Sequence, residues 1–244
     1  MTSASTIRKR SLAVLSGVAV AALALSGCAA GTDSGTPGAS STITVGTTDK
    51  VTTLDPAGSY DNGSFFIMNN VFPFLMNSNP GSSDVNPDIA ESAGFTSPTE
   101  YTVKLKPGLK WANGHDLTAS DVKFSFDRQL KIAADNGPST LLYNLDSTEV
   151  KDDLTVVFHL KAANDQIWPQ ILSSPAAPIV DEEVFSPDAL TTDQEIVDGN
   201  AFAGPYVISS YKFNELVQFK AYDGYQGLLG KPKTKTINLK YYAD

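Results

Sequence analysis

Side chains that could perform acid–base or metal chemistry are few in this chain and poorly spaced for it. The 244 residues include two histidines, His115 and His159, and one cysteine. Neither histidine has a second histidine or a cysteine at the spacing of a zinc site, and no nucleophile elbow, phosphate loop or zinc-protease helix occurs. Adjacent carboxylates at 152–153 and 182–183 would face opposite sides of a strand. We therefore predict no catalytic residues, no metal site and no cofactor, and local structural roles for these side chains.

The single cysteine, Cys28, has a context of a different kind. A basic cluster at 8–10 precedes an apolar run from Leu12 to Leu25, in the order of an export signal. The run is too short to span a bilayer, which needs about 20 apolar residues. The Leu-Ser-Gly-Cys ending resembles the lipobox of bacterial lipoproteins, which implies a signal peptide over 1–27 and lipid attachment at Cys28. A plain signal peptide with an incidental cysteine is the alternative.

The composition limits the class of partner. The leader carries three of the 18 lysines and arginines and none of the 27 acidic residues, so the net charge of −9 becomes about −12 after its removal. An acidic surface argues against nucleic acid, which needs a basic face. With Cys28 committed to lipid, no cysteine is left for a disulfide. The apolar content of 41% is enough for a core built by burial alone.

The elements that would position a site begin after a tether. Residues 28–41 are rich in Gly, Ser, Thr and Ala and are predicted to be a flexible tether. An alternating strand is expected over 42–46. A helix within 64–77 would bury positions 65, 68, 72, 75 and 76 on one face, with an interruption at Pro73.

A second predicted helix starts after the Asn-Gly turn at 113–114. Thr118 is its expected N-cap, with Asp121 as the acidic partner in the first turn. Its buried face is predicted to hold Val122, Phe126 and Leu130. The mixture of helices and strands favours an α/β or α+β body. Alternating patterns predict strands at 101–105, 156–160, 206–210, 216–222 and 236–242.

The stretch 100–128 resembles a known family. Leu-Thr-Ala-Ser-Asp-Val-Lys-Phe-Ser at 117–125, after an aromatic residue and an Asn-Gly turn, is similar to the signature of the family 5 extracellular solute-binding proteins. These are the oligopeptide-, dipeptide- and nickel-binding receptors of ABC importers. Three more segments occur in the family's order: Thr-Leu-Asp-Pro at 53–56, Asn-Pro-Asp-Ile-Ala-Glu-Ser at 86–92 and Gly-Pro-Tyr-Val at 204–207. One departure is Pro73, which stands where the family often has an acid.

This resemblance implies an α/β fold of the periplasmic-binding-protein type (type II, peptide-binding). The chain corresponds to the first lobe, with an inserted α+β subdomain over 59–199 and a main part formed by 42–58 and 200–244. Family members are roughly twice as long, so the second lobe is expected to be absent and the chain to be a truncated form.

The function implied is that of a substrate-binding lipoprotein, not an enzyme. It would capture peptides or similar small solutes outside the membrane, deliver them to the permease subunits of an ABC importer, and be held by its lipid on the outer face of the cytoplasmic membrane. Two other classes stay open: a secreted hydrolase with two convergent carboxylates, and a surface interaction protein without a transport role.

The candidate ligand-binding residues follow from where a two-lobe clamp places its cleft. The cleft wall of such a clamp is built from loops at strand ends, and the first strand ends at Gly46. The alternative is that these are ordinary turn residues, since Asp, Asn and Gly dominate turns. The candidates are Thr47, Thr48 and Asp49 after the first strand, and Asp61, Asn62 and Gly63 where the insertion opens.

Overall fold

The computed structural model describes residues 42–243, which form two four-stranded sheets, one two-stranded sheet and four α-helices. The strands are β1 (Thr42–Thr47), β2 (Met76–Ser78), β3 (Val85–Pro87), β4 (Ala90–Ser97), β5 (Glu100–Leu105), β6 (Leu145–Asp152), β7 (Thr155–Leu160), β8 (Tyr206–Lys212), β9 (Leu216–Ala221) and β10 (Thr236–Tyr241). The helices are α1 (Asn62–Val71), α2 (Ala119–Ile132), α3 (Trp168–Ile171) and α4 (Asp193–Asp198), with 3₁₀ turns at Pro56–Gly58 and Ser139–Leu142.

The first sheet joins the two ends of the described chain. Its order is β1-β10-β9-β8, with β1 parallel to β10 and the other pairs antiparallel. Ile67 and Val71 of α1 pack with Phe219 and Leu239 in the core on this sheet. A parallel pair needs a connection that returns the chain to the same end of the sheet. Here that connection contains the whole second sheet.

The second sheet is antiparallel, in the order β4-β5-β7-β6. Tyr101 and Val103 alternate toward its buried face, as the sequence pattern predicts. Helix α2 covers that face through Val122 and Phe126, and the ring of Phe126 meets that of Phe158 edge-on, with centroids 4.8 Å apart. Such aromatic pairs add to the stabilisation that burial gives.

Two adjacent segments of the chain pass between the two cores. Phe72 belongs to the core on the first sheet and Phe74 to the core on the second, and the chain returns between Ile179 and Val180. The outgoing and returning segments are hydrogen-bonded to each other, because the Ile179 amide donates to the Pro73 carbonyl at 3.0 Å. This pair of adjacent segments is called the crossing below.

Helix α1 is shorter than the sequence pattern indicated. It begins at Asn62, after the N-cap Asp61, whose side chain accepts from the Ser64 amide at 2.8 Å, and it ends at Val71. Because Pro73 disfavours the helical conformation of the residue before it, Phe72 is extended (φ −98°, ψ 148°). The predicted interruption at Pro73 is confirmed. The predicted single helical face over 65–76 is wrong, because its last three positions are buried but lie beyond the helix.

Helix α2 carries the predicted capping box. Thr118 donates its amide to Asp121 Oδ2 at 2.8 Å, and its side chain caps the first turn. Phe126 is buried as predicted, whereas Leu130 is 37% exposed, so its predicted place in the core is wrong. Each step of four residues rotates the helix position by about 40°. Near the end of the helix, Arg128 is buried instead of Leu130.

Arg128 forms a buried ion pair with Asp55, from the Thr-Leu-Asp-Pro segment. Its Nη1 and Nη2 donate to the two carboxylate oxygens at 2.8 and 2.5 Å, and both side chains are almost fully buried. Arg128 also donates to the Ser186 and Ala189 carbonyls. The carboxylate accepts further hydrogen bonds from the amides of Ala57 and Thr191. The pair thus holds α2 against the loop after β1.

Some predictions fall outside the described residues or are not tested. The signal peptide over 1–27, the lipid site at Cys28 and the tether over 28–41 lie outside residues 42–243. The division of the lobe into 42–58 with 200–244 and 59–199 stays a prediction. Among the described residues, no helix has both the length and the apolar character needed to cross a membrane.

Candidate functional site

A cavity of about 340 Å³ lies at the carboxyl ends of the parallel strands β1 and β10, next to the first turn of α1. In sheets with parallel strands, ligands bind at the carboxyl ends of the strands. The cavity is called the strand-end cleft below. Its lining residues are Val45, Gly46, Thr47, Asp49, Asn62, Gly63, Phe66, Leu239 and Tyr241.

Glycine at position 63 lets the helix and the loop after β1 approach each other. A Cβ at Gly63 would lie 2.1 Å from the Lys50 carbonyl oxygen, which no side chain tolerates. The loop itself is fixed because the amide of Asp49 donates to Thr47 Oγ1 at 3.0 Å. Backbone geometry therefore sets the two walls of the strand-end cleft that the loop after β1 and the start of α1 form.

Four of the six predicted ligand-binding residues line this cleft together: Thr47, Asp49, Asn62 and Gly63. Thr48 is exposed but is not part of the lining. Asp61 caps α1 instead, and it lines a neighbouring cavity with Tyr60 and residues 135–137. The structure thus brings the two predicted segments together, while the ligand-binding role of their residues stays a prediction.

Sequence reasoning missed Tyr241, which stands opposite Thr47 in the β1–β10 register. Its hydroxyl is buried and has no hydrogen-bond partner among residues 42–243. Burial raises the pKa of Tyr241 to about 12, and the negative charges of Asp49 and Asp61 add to the effect. The hydroxyl is therefore protonated at neutral pH, and it is a donor whose partner the described chain does not supply. Only the pairing of two strands distant in sequence reveals this position.

Phe66 is the second missed residue. Its side chain is 46% exposed and lines the strand-end cleft, although the next two residues of the helix, Ile67 and Met68, are buried. The sequence signal was a run of apolar residues too continuous to show which one faces outward. An exposed aromatic ring beside a polar hydroxyl is typical of a small-molecule or peptide site.

The two histidines lie elsewhere and have local partners. His159 Nε2 is 3.0 Å from Glu149 Oε2 on the neighbouring strand. His115 Nδ1 is 2.9 Å from the buried carboxylate of Asp181, and this hydrogen bond raises the pKa of the imidazole. Neither histidine lines the strand-end cleft. Among its lining residues Asp49 is the one carboxylate, so the cleft itself has no pair of acids.

The comparisons with known proteins match this fold. Residues 84–244 match the model described as "Bacterial extracellular solute-binding proteins, family 5 Middle". This chain belongs to family 5 of the bacterial extracellular solute-binding proteins. The resemblance found in the signature segment is thereby confirmed over most of the described chain.

Two curated relatives show how much of a family 5 protein this chain covers. It is 27% identical to the oligopeptide-binding protein AppA of Bacillus subtilis (strain 168), covering 97% of this chain and 45% of AppA. It is 32% identical to the glutathione-binding protein GsiB of Pectobacterium atrosepticum, covering 83% of this chain and 38% of GsiB. The chain thus spans less than half the length of these relatives.

A solved structure confirms the predicted fold class. The structure of AppA from Bacillus subtilis, in complex with a nonapeptide, superposes with a TM-score of 0.68 at 23% identity. The match covers 82% of this chain and 40% of that chain. The described residues therefore have the fold of one lobe of a peptide-binding protein.

Proposed function

We propose that this chain supplies one wall of the ligand cleft of a solute receptor that serves an ABC importer. Its ligands are peptides or similar small solutes, and its partners are the permease subunits. The protein is exported, acylated at Cys28 and held on the outer face of the cytoplasmic membrane, with residues 28–41 as the tether. The observation that carries the proposal is the strand-end cleft, which gathers four predicted residues where a clamp of this family would close.

An extended peptide suits the wall for a geometric reason. From residue 43 to residue 47, β1 pairs with β10 on one side, and no other described strand pairs with its opposite edge. A peptide backbone can add to such an edge and take its affinity from main-chain hydrogen bonds, largely independent of its sequence. The Tyr241 hydroxyl and the Phe66 ring would then meet the peptide at the end of the strand.

One lobe supplies only part of the burial and of the polar partners that a closed clamp provides. We therefore expect millimolar or weaker binding by this chain, compared with micromolar or tighter binding at a complete site. The secreted hydrolase is disfavoured because the strand-end cleft is lined by a single carboxylate, that of Asp49.

The test is a binding titration of the full chain with a mixed tripeptide library at millimolar concentration, followed by ligand-observed NMR. Tyr241→Phe removes the unpartnered hydroxyl, so we expect binding about fivefold weaker and an unchanged or raised melting temperature. Tyr225→Phe is the matched control, because its hydroxyl donates to Asp88 Oδ1 at 2.7 Å and its side chain does not line the cleft. It should lower the melting temperature and leave peptide binding unchanged.

The outcomes separate the parts of the proposal. Equal binding by wild type and Tyr241→Phe would show that the strand-end cleft is not the ligand wall. Micromolar binding by the wild-type chain would contradict the proposal that the chain supplies one wall of the cleft, and it would imply a complete site. No binding by the wild type, together with no effect of peptide on stability, would favour the surface interaction protein.

A further inference from the structure

Three side chains that can ligate a metal converge at the crossing between the two cores. One ligand atom each from His115, Asp181 and Glu183 lies within 4.8 Å of the others. His115 Nδ1 is 2.9 Å from Asp181 Oδ2 and 3.7 Å from Glu183 Oε1. His115 and Asp181 are 66 positions apart in sequence, so spacing along the chain did not indicate a site, and our sequence analysis predicted none.

The buried member of this cluster is held in a fixed orientation. The Asp181 side chain is 1% exposed. Its Oδ2 accepts from Asn113 Nδ2 at 2.8 Å, and its Oδ1 accepts from the Glu183 amide at 3.0 Å. Asn113 also accepts the His115 amide at 3.0 Å, so one side chain positions both the imidazole and the carboxylate. Supporting hydrogen bonds of this kind orient the ligands of metal sites.

The distances fit a tetrahedral ion. With metal–ligand bonds of about 2.1 Å, two ligand atoms on a tetrahedral ion are about 3.4 Å apart. The observed separations of 2.9 and 3.7 Å lie on either side of that value. The third separation, between the two carboxylates, is at most 4.8 Å. A movement of about one ångström therefore suffices to complete the site, and the exposed Glu183 side chain and the partly exposed imidazole can supply it.

The second histidine shows that this arrangement is not the general result of a histidine among acids. At His159 two carboxylates are also near, but Glu149 lies against Nε2 and Glu100 against Nδ1. One ion cannot take both carboxylates together with either ring nitrogen. At His115 both carboxylates face Nδ1, so a single ion can contact all three groups.

The charge around the cluster also lacks a permanent cation. Asp121 lies close by, since its Oδ1 accepts from the Glu182 amide at 3.1 Å. Within residues 42–243, no lysine or arginine forms an ion pair with Asp121, Asp181, Glu182 or Glu183. Within the same residues, the His115 imidazole is the one basic group that pairs with any of these four acids, and it pairs with Asp181 and Glu183.

We propose that His115, Asp181 and Glu183 form a binding site for a first-row divalent cation, with Zn²⁺ preferred. One imidazole nitrogen and two carboxylates are ligands that Zn²⁺ accepts, and the exposed side leaves a fourth position for water. The ion joins the turn at 112–116 to the returning segment of the crossing. It acts as a clip at the place where the two cores meet, outside the strand-end cleft.

The test is a titration of the metal-free full chain with Zn²⁺ by calorimetry, with the melting temperature as a second measurement. All variants carry Cys28→Ser, because a free thiolate also binds zinc. We expect one equivalent of Zn²⁺ at micromolar affinity or tighter, and a melting temperature that rises with zinc concentration. His115→Ala and Glu183→Gln should each weaken binding at least tenfold. Glu183 is exposed, so its variant will fold even if a change at Asp181 does not.

The matched control is His159→Ala, which removes the other histidine and should leave zinc affinity and the zinc-dependent rise unchanged. Mg²⁺ should bind far more weakly than Zn²⁺, since it prefers an all-oxygen octahedral shell. Absence of saturable zinc binding would overturn the proposal. So would equal affinity of wild type and His115→Ala, or an equal loss with His159→Ala.

Discussion

The buried pair of Arg128 and Asp55 gives the sharpest prediction about stability. Replacing Arg128 with leucine leaves the Asp55 carboxylate buried without its cation, and it removes hydrogen bonds to the Ser186 and Ala189 carbonyls. Removing one partner of a buried ion pair costs about 3–5 kcal/mol. We expect a loss of that size for Arg128→Leu, because within residues 42–243 the Asp55 carboxylate then keeps only the amides of Ala57 and Thr191 as donors.

A double-mutant cycle separates the pair from the packing of each residue. Asp55→Asn should cost a similar amount, since it leaves the guanidinium buried and unpaired. In the double variant neither charge remains, so the cost should fall short of the sum by about 2–3 kcal/mol. Urea unfolding measures all three, with the fluorescence of the buried Trp111 and Trp168 as the signal.

The control is Lys131→Ala on the same helix. Lys131 is exposed and lies 3.7 Å from the exposed Asp188, and pairs of this kind contribute about 0–1 kcal/mol. Its free energy of unfolding should therefore remain close to that of the wild type. If Arg128→Leu cost as little as Lys131→Ala, or if the two single losses simply added, the pair would not be the link between α2 and the loop after β1.

Four further changes test other parts of the structure. Phe126→Ala should lower the free energy of unfolding in urea by about 3–5 kcal/mol, because it opens a cavity against Phe158. Thr118→Ala should lower it by about 1 kcal/mol in the same assay, through loss of the N-cap. Burial raises the pKa of Asp121 from 3.8 to about 6, so the folded state binds this proton more tightly. Protonation of Asp121 therefore stabilises the folded state fully below about pH 4, and this stabilisation is lost as the pH rises through about 6. Relative to Asp121→Asn, the free energy of unfolding should fall by about 3 kcal/mol over that range, as urea titrations in EDTA at several pH values would measure. Cys28→Ala should release the protein from membranes or leave its signal uncleaved, as fractionation and mass spectrometry of the acyl group would show; a variant acylated like the wild type would contradict the lipid site.

Several strands and the start of α2 could be predicted from the sequence, because the constraints that form them act between neighbouring residues. The alternation of Tyr101, Val103 and Leu105 gave β5, and Thr118 with Asp121 gave the start of α2. Side chains on a strand must alternate between two faces, and a capping box satisfies amides within one turn. These constraints act within a few residues, so a single sequence contains them in full.

The prediction for the end of α2 was wrong because a residue distant in sequence determines which side chain is buried there. Leu130 continues the local apolar pattern, yet it is exposed. The buried side chain near the end of α2 is Arg128, which pairs with Asp55, 73 positions earlier in the sequence. A charged side chain at a helix end normally predicts an exposed face, because burial of a charge without a partner is costly. Neither residue reveals its partner on its own. The pairing became visible only when the loop after β1 was placed beside α2.

The strand-end cleft shows both cases in one site. Gly46 marks the end of the first strand in the sequence, so the wall formed by Thr47 and Asp49 was predicted from a local pattern. The wall formed by Asn62 and Gly63 was predicted from the family resemblance, which opens the insertion there. The third wall of the cleft is Tyr241, which reaches the cleft only because β10 pairs in parallel with β1. A parallel pair has no sequence signal comparable to a hairpin turn, since its connection is long. The group best suited to test ligand binding is therefore the one that local reasoning missed, and the unpartnered hydroxyl makes Tyr241→Phe more informative than any of the six predicted positions.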